Sequence, residues 1–231
     1  MKLEVCANSF LSAKNAQEAG AHRIELCSEL LVGGVTPSFG LLKKVTEELK
    51  IRTFVLIRPR SGNFIYSEME FETMKQDIQL CKDLGCHGIV SGVLNNDNTI
   101  DFERTKVLIE LSKPLSFTFH RAFDEVPDPV EALEQLIVLG SDRILTSGGA
   151  QKAVDGINLL KQLHAIARNR LIIIPGGGIT SDNVTLFKKT GFQEIHASAS
   201  STLSSGNRMF SETITFSDPK KIKTLLEKMF D

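Results

Sequence analysis

Short runs of apolar or alternating residues recur along the chain, and segments with helical periodicity lie between them. The clearest helical segment is DPVEALEQLIVLG, in which Asp128 can cap the start, Pro129 fills the first turn and Gly140 ends the helix. Similar segments are SAKNAQEAG, FETMKQDIQLCKDLG and SDNVTLFKKTG. The runs predict eight strands at 2–6, 23–27, 53–57, 88–92, 115–119, 143–147, 171–175 and 194–198.

Eight strand–helix repeats in 231 residues, with no linker or low-complexity stretch, predict an α/β fold. The expected architecture is a (β/α)₈ TIM barrel that forms a single domain over residues 1–231. A doubly wound open sheet is the alternative, but it usually has fewer strands and longer, wholly apolar central strands. Polar residues recur inside strands at both ends of the chain, which favours the barrel.

Polar side chains share one face of several predicted strands. Successive side chains of a strand point to opposite faces, so Leu3 and Val5 should face the helices while Glu4 and Cys6 face the barrel interior. The same alternation places further polar residues inside: Arg23, Glu25, Cys27, Ser116, Thr118, His120, Glu194, His196 and Ser198.

An interior polar layer needs partners, because an unpaired buried charge is costly. Arg58, at the end of FVLIRPR, is a candidate counter-ion for Glu4 or Glu25. For Glu4, Glu25 and Arg23, a structural ion-pair network that plugs the barrel and a role toward a substrate both remain open.

Two cysteines end neighbouring predicted strands in matching phase. The backbones of Cys6 and Cys27 should therefore lie roughly 5 Å apart. Two thiolates at that separation suit Cu(I), whereas a structural zinc would want four ligands, and only His196 could help to supply them. Packing as small buried thiols is the favoured interpretation from spacing alone, and we interpret Cys81 and Cys86 in the same way.

Active sites of this fold lie at the carboxyl ends of the strands, so charged residues there are functional candidates. Arg58 and Arg60 flank Pro59 before a polar loop and could clamp an anion, although ordinary surface arginines are the alternative, more so for Arg60. His120 could act as an acid or base near neutral pH, with Asp124 or Glu25 assisting. A histidine satisfied in the core is the competing interpretation.

Two glycine-rich turns follow the sixth and seventh predicted strands, in LTSGGAQKA and IIPGGGITSDN. Backbone N–H groups there could cradle a phosphate or carboxylate, although tight turns after strands need glycine anyway. The anion-binding candidates at this end of the barrel are Ser147, Gly176, Gly177, Gly178, His196 and Ser198.

The amino-acid composition and charge argue against several classes of binding partner. A formal net charge of −1 without a basic block argues against nucleic acid and against a polybasic membrane surface. No apolar run approaches the roughly 20 residues of a spanning helix, and the first residues lack the apolar stretch of a signal peptide. The four cysteines form no disulfide framework, which predicts reduced thiols and a cytoplasmic protein.

Several strings occur in an order that resembles the CutC family of so-called copper homeostasis proteins. They are RIELC with GGVTPS, IRPRSGNFIYS, TFHRAFD, RILTSGG and EIHASA, and the likeness runs from residue 2 to about 200. The segment SSTLSSGNRMFSET, in the loop over 199–212, matches only loosely. The resemblance implies a cytoplasmic (β/α)₈ barrel, a homodimer, and copper binding at strand-end cysteines whose positions Cys6 and Cys27 match.

Two functions remain open from the sequence. The first is Cu(I) binding through Cys6 and Cys27 in copper homeostasis. The second is an enzyme that acts on a small anionic metabolite bearing a phosphate or carboxylate. A non-catalytic scaffold is a third.

Overall fold

The computed structural model describes residues 1–204 and 213–230, and it confirms the predicted TIM barrel. Part of the loop over 199–212, residues 205–212, lies outside the described residues. The barrel strands are β1 (Lys2–Ala7), β2 (Arg23–Leu26), β3 (Arg52–Leu56), β4 (Gly88–Ser91), β5 (Ser116–Phe119), β6 (Arg143–Thr146), β7 (Ile172–Pro175) and β8 (Glu194–Ala197). An antiparallel pair follows, β9 (Ser200–Ser204) and β10 (Thr213–Ser217).

Helices connect the parallel strands, as the repeat predicts. They are α1 (Phe10–Glu18), α2 (Phe39–Glu48), α3 (Glu68–Asp83), α4 (Phe102–Ser112), α5 (Pro129–Leu139), α6 (Ile157–Ala167), α7 (Val184–Thr190) and α8 (Pro219–Phe230). Two 3₁₀ turns, Leu30–Val32 and Arg121–Glu125, follow β2 and β5.

Local chemistry sets the helix ends. The Asp128 side chain accepts hydrogen bonds from the amides of Val130 and Glu131, and Gly140 ends α5 with φ +81°, as predicted. Helix α7 begins later than its sequence pattern suggests, because the Asn183 side chain accepts from the Thr180 amide and donates to a carbonyl. These bonds hold the preceding residues in a turn.

The barrel closes between β7 and β8. The sheet order is β7-β6-β5-β4-β3-β2-β1-β8, and a parallel bridge between Gly176 and His196 joins its two ends. A Cβ on Gly176 would lie 2.5 Å from the Leu145 side chain and 3.3 Å from Cβ of His196. Glycine is therefore needed here for the strands to approach, and its amide donates to the Thr146 carbonyl at 2.9 Å.

Side-chain alternation divides the core into an outer and an inner part. Leu3 and Val5 are fully buried in the outer cluster between sheet and helices, as predicted. The interior is polar only in part, because a small apolar cluster also lies there: Cys6, Cys27, Phe54, Leu56 and Val90. Strand β3 thus contributes apolar side chains where β1, β2 and β8 contribute charges.

An ion-pair network fills the end of the barrel where the strands begin. Arg23 pairs with Glu4 through Nε and with Glu194 through Nη2 at 2.6 Å, and Arg143 donates to Glu194 at 3.1 Å. Both guanidinium groups also lie over the Phe54 ring, 4.4 and 5.3 Å from its centre. The structure therefore shows the predicted ion-pair network for Glu4 and Arg23.

The pairing of Glu4 also corrects one prediction. Burial alone would raise the pKa of Glu4, but Arg23 and His196 outweigh it and lower that pKa from 4.5 to about 2. Arg58, which we expected to be the counter-ion of Glu4 or Glu25, hydrogen-bonds to backbone carbonyls elsewhere. Arg23 fills that role for Glu4 because it starts the neighbouring strand, with Cα paired to Glu4.

The network makes Arg23 a stability-determining residue. We expect Arg23→Met to lower the free energy of unfolding by about 3 kcal/mol, because two buried carboxylates each lose a partner. Arg170→Met, which breaks the exposed pair with Glu134, should cost less than about 1 kcal/mol. Urea denaturation of both variants measures the difference, and equal losses would contradict this account.

Candidate functional site

A cavity of about 650 Å³ occupies the carboxyl end of the barrel. Its wall combines apolar side chains such as Leu30, Leu56 and Phe64 with charged groups. Most of the predicted site residues line it: Cys6, Glu25, Arg58, His120, Asp124, Gly177, Gly178, His196 and Ser198. The strand-end argument thus brings together residues that are far apart in the chain.

Four predicted site residues do not line the cavity. Cys27 is fully buried behind Cys6, and Ser147 is buried beneath Asp124. Arg60 pairs with Glu70 at 2.5 Å and so belongs to the outside of the loop after β3. Gly176 closes the barrel, and its amide is already bonded to a carbonyl, so it is not free to hold an anion.

Two thiols meet at the wall of the cavity. The sulfurs of Cys6 and Cys27 lie 3.5 Å apart, and both cysteines are free. The side chains meet although the two residues are not register partners as we had expected, since Cα of Cys6 is paired with that of Glu25. The hydrogen bond with Cys27, burial, and the negative charge of Glu25 raise the pKa of Cys6 well above its usual 9.0. Without a metal, both sulfurs are therefore best described as one hydrogen-bonded thiol pair.

Glu25 is a buried carboxyl that, among the described residues, forms no ion pair with an arginine or a lysine. Only 5% of the residue is exposed, and its Oε2 has no hydrogen-bond partner among the described residues. Burial raises the pKa of Glu25 to about 7; the nearby Glu4 adds to the rise, while His196 and Arg23 oppose it. The expected pairing with Arg58 is wrong, because that guanidinium faces the loops above.

His196 lies between two carboxylates. Its Nδ1 is 2.8 Å from Oε1 of Glu4 and 3.8 Å from Oε2 of Glu25. Burial lowers the pKa of His196, but its bond to Glu4 and the charge of Glu25 outweigh this and raise it. One oxygen of each carboxylate and the imidazole nitrogen lie within 4.8 Å of one another, a donor set that could hold a metal ion.

His120 is arranged as a neutral donor and not as the acid or base that we predicted. The Ala122 amide donates to Nδ1 of His120 at 3.2 Å, so the ring proton belongs on Nε2, which is buried without a described partner. Burial, and then the positive charge of Arg58, lower the pKa of His120 to about 3. The ring therefore stays uncharged at neutral pH.

Arg58 is held by two loops and cannot act as a free clamp. Its Nη1 donates to the carbonyls of Val32 and Gly34 at 2.9 and 2.8 Å, and its Nη2 donates to Gly62 at 2.7 Å. The guanidinium lies 5.0 Å from the ring centre of Phe64, which in turn lies 4.7 Å from the His120 ring. Arg58 thus connects the loops after β2 and β3 above the cavity.

Asp124 organises the loop after β6 and does not orient His120 as predicted. Its carboxylate accepts from Thr146 Oγ1 at 2.5 Å, from the Ser147 and Gly149 amides at 3.0 Å, and from Nε of Arg121 at 2.7 Å. Most of its hydrogen-bonding capacity is therefore used within this loop.

Arg121 presents a charged group at the cavity mouth. Its Nη2 donates to Ser147 Oγ at 2.8 Å, and its side chain is 43% exposed. A Cβ on Gly177 would lie 3.5 Å from Nη1 of Arg121, so the glycine leaves space beside the guanidinium.

Sequence reasoning missed two contributors. We did not assign Phe64 a role, although a lone aromatic residue inside the polar stretch SGNFIYS is a usable signal for a residue that folds over a pocket. We assigned Glu4 no ligand role, because its contact with His196 depends on β8 closing the barrel beside β1.

The geometry defines the class of the protein. It is a parallel (β/α)₈ barrel with a ligand-sized cavity at the carboxyl ends of its strands, lined by thiol, carboxyl, imidazole and guanidinium groups. A sequence model of the CutC family matches residues 1–201, and the chain belongs to the CutC family.

Individual relatives agree with this membership. A Mus musculus protein named copper homeostasis protein cutC homolog is 48% identical over 213 residues, which cover 92% of this chain and 78% of that one. A Pasteurella multocida family protein CutC is 48% identical over 86% of this chain and 82% of its own. The crystal structure of CutC from Streptococcus agalactiae superposes with a TM-score of 0.82 at 35% identity, covering 86% of this chain and 98% of that one. Among the described residues, none of the helices has the length and apolar character needed to span a membrane.

The buried neutral state of His120 predicts a pH dependence of stability. Between about pH 6.5 and pH 3 the unfolded chain binds a proton at this histidine that the folded protein does not, so the unfolding free energy falls as the pH falls. We expect His120→Gln to remove up to about 1.4 kcal/mol per pH unit of this slope. Urea denaturation at each pH measures the unfolding free energy of both proteins. From pH 7 to 8 we expect the two unfolding free energies to differ by a constant amount. Parallel stability curves across the whole range would contradict the assignment.

Proposed function

We propose that the protein binds Cu(I) through Cys6 and Cys27 and serves copper homeostasis. The observation that carries the proposal is the 3.5 Å separation of two free thiols, one of which lines a cavity. Relatives that are 47 and 48% identical are named copper homeostasis proteins, which supports the same function.

The thiol pair fits the chemistry of this ion. Cu(I) is soft and prefers thiolate ligands, and two sulfurs this close can share one ion. Cys6 and Cys27 would hold it as thiolates, so binding would release their protons. Bound Cu(I) would present a soft cation to the cavity beside Glu25, whose Cα is paired with that of Cys6.

The proposal includes a cytoplasmic location and a homodimer. Four free cysteines suit a reducing compartment, and the resemblance to the CutC family supports the dimer. In such a compartment the thiols stay available for copper.

Anaerobic titration with a chromogenic Cu(I) competitor tests the copper proposal. We expect one Cu(I) per chain, and we expect the Cys6→Ser/Cys27→Ser variant to lose it because the two thiolate ligands at the cavity are removed. Cys81→Ser/Cys86→Ser is the matched control, since it removes the other two buried cysteines, and it should keep full binding. Unchanged binding in the Cys6→Ser/Cys27→Ser variant would refute the proposal.

A second candidate function is an enzyme that acts on a small anionic molecule in the same cavity. Arg121 at the mouth, the glycines at 177 and 178, and the buried Nε2–H of His120 are donors suited to phosphate or carboxylate oxygens. In this function His120 would donate a hydrogen bond while it stays neutral, and Arg121 would supply the charge that we had expected from Arg58.

Inorganic phosphate serves as the probe for this candidate. We expect phosphate to raise the melting temperature of the protein in differential scanning fluorimetry, and Arg121→Gln to abolish the rise because the charged donor at the mouth is lost. Arg52→Gln, at the opposite end of the barrel where β3 begins, should leave the rise intact. A rise of the same size in Arg121→Gln would exclude this cavity as the anion site.

A further inference from the structure

We propose that Glu4, Glu25 and His196 form a second metal site, separate from the thiol pair, that binds a divalent cation such as Mn²⁺ or Zn²⁺. This inference does not depend on the proposed copper or anion functions. It rests on the positions of three donor groups and on one buried carboxylate oxygen that has no hydrogen-bond partner among the described residues.

The three donors converge from adjacent strands. Glu25 lies on β2, Glu4 on β1 and His196 on β8, and these strands are neighbours in the sheet. Nδ1 of His196 is 2.8 Å from Oε1 of Glu4 and 3.8 Å from Oε2 of Glu25. One donor atom from each of the three residues lies within 4.8 Å of the other two. Donors on hydrogen-bonded strands are held rigidly, so one ion could contact all three after small side-chain rotations.

Glu25 supplies the independent observation. Its Oε2 is buried without a hydrogen-bond partner among the described residues, and the side chain lines the cavity. Its neighbours in the interior are matched: Glu4 pairs with Arg23, and Glu194 pairs with Arg23 and Arg143. Among the described residues, Oε2 of Glu25 meets an ion-pair partner only in His196, which lies 3.8 Å away. A bound cation would give this buried carboxylate the close partner that Glu4 and Glu194 have in arginine.

The surrounding bonds prepare Glu4 for such a role. Arg23 occupies its Oε2, which fixes the carboxylate plane and leaves Oε1 directed at His196. Hydrogen bonds of this kind orient metal ligands in proteins. Glu25 and His196 both line the cavity, so an ion held here would keep coordination positions open to a ligand, as catalytic metal sites do.

The proposed site and the thiol pair differ in the softness of their metal ligands. Two carboxylates and an imidazole suit Mn²⁺ or Zn²⁺, whereas two thiolates suit Cu(I). The cavity wall would thus hold a hard donor set and a soft one side by side, since Cys6 and Glu25 are Cα partners on adjacent strands.

Calorimetric titration of the Cys6→Ser/Cys27→Ser protein with Mn²⁺ and with Zn²⁺ tests the site without interference from these two thiols. We expect at least one of the ions to bind with one site per chain. Adding Glu25→Gln or His196→Asn should weaken that binding by about tenfold or more. Glu125→Gln is the matched control, because it neutralises an exposed carboxylate on the same cavity wall, and it should leave the affinity unchanged.

Folding is checked in the same samples. Glu25→Gln should unfold at a urea concentration at least as high as its parent, since it removes a buried carboxylate whose Oε2 has no hydrogen-bond partner among the described residues. If Glu25→Gln is unstable, His196→Asn provides the second test. Absence of binding by both ions, or equal binding in folded Glu25→Gln and its parent, would overturn the proposal. Cu(I) titration of Glu25→Gln on the wild-type background distinguishes the two proposed sites. Its outcome tests the copper proposal alone and does not change the result of the Mn²⁺ and Zn²⁺ titrations.

Discussion

The pairing of Arg23 with Glu4 and Glu194 is the interaction on which the interior of this barrel depends. Four strands, β1, β2, β6 and β8, bring charged side chains to the barrel axis, where little solvent can screen or hydrate them. A single guanidinium that bridges two carboxylates makes this arrangement tolerable, and the Phe54 ring beneath it adds a favourable cation–π contact. Without this bridge the strands could not carry acids so close to the axis.

The barrel interior has two parts, and the ion pairs of Arg23 lie in only one of them. The half where the strands begin is filled by paired charges, while the half where they end opens into the cavity. Glu4 lies at the boundary, with one oxygen on Arg23 and the other facing His196. The ion pair with Arg23 therefore orients the Glu4 carboxylate toward His196, which lines the cavity.

The open half is shaped by its loops. Arg58 bonds to carbonyls of the loops after β2 and β3, and Phe64 packs against both Arg58 and His120. On the other side, Asp124 gathers the loop after β6 and holds Arg121 at the mouth. Arg58 and Asp124 thus use most of their hydrogen-bonding capacity to hold the loops in place. Among the described residues, the groups that remain accessible to a ligand include the thiol pair, Glu25, His196, Arg121 and the Nε2–H of His120.

The sequence alone determined the architecture and much of the cavity lining. Apolar and alternating runs mark the eight strands, helical periodicity marks several of the helices between them, and the rule that functional groups follow the strand ends placed Cys6, Glu25, His120 and His196 together. Alternation predicts on which face of the sheet a side chain lies, but it does not predict which residue that side chain contacts there. Only the tertiary structure decided that Arg23 and not Arg58 neutralises Glu4, that burial and the charge of Arg58 keep His120 neutral, and that Gly176 closes the barrel. Each of these outcomes depends on distances of a few ångströms between segments far apart in the chain, and strand register and barrel closure set those distances.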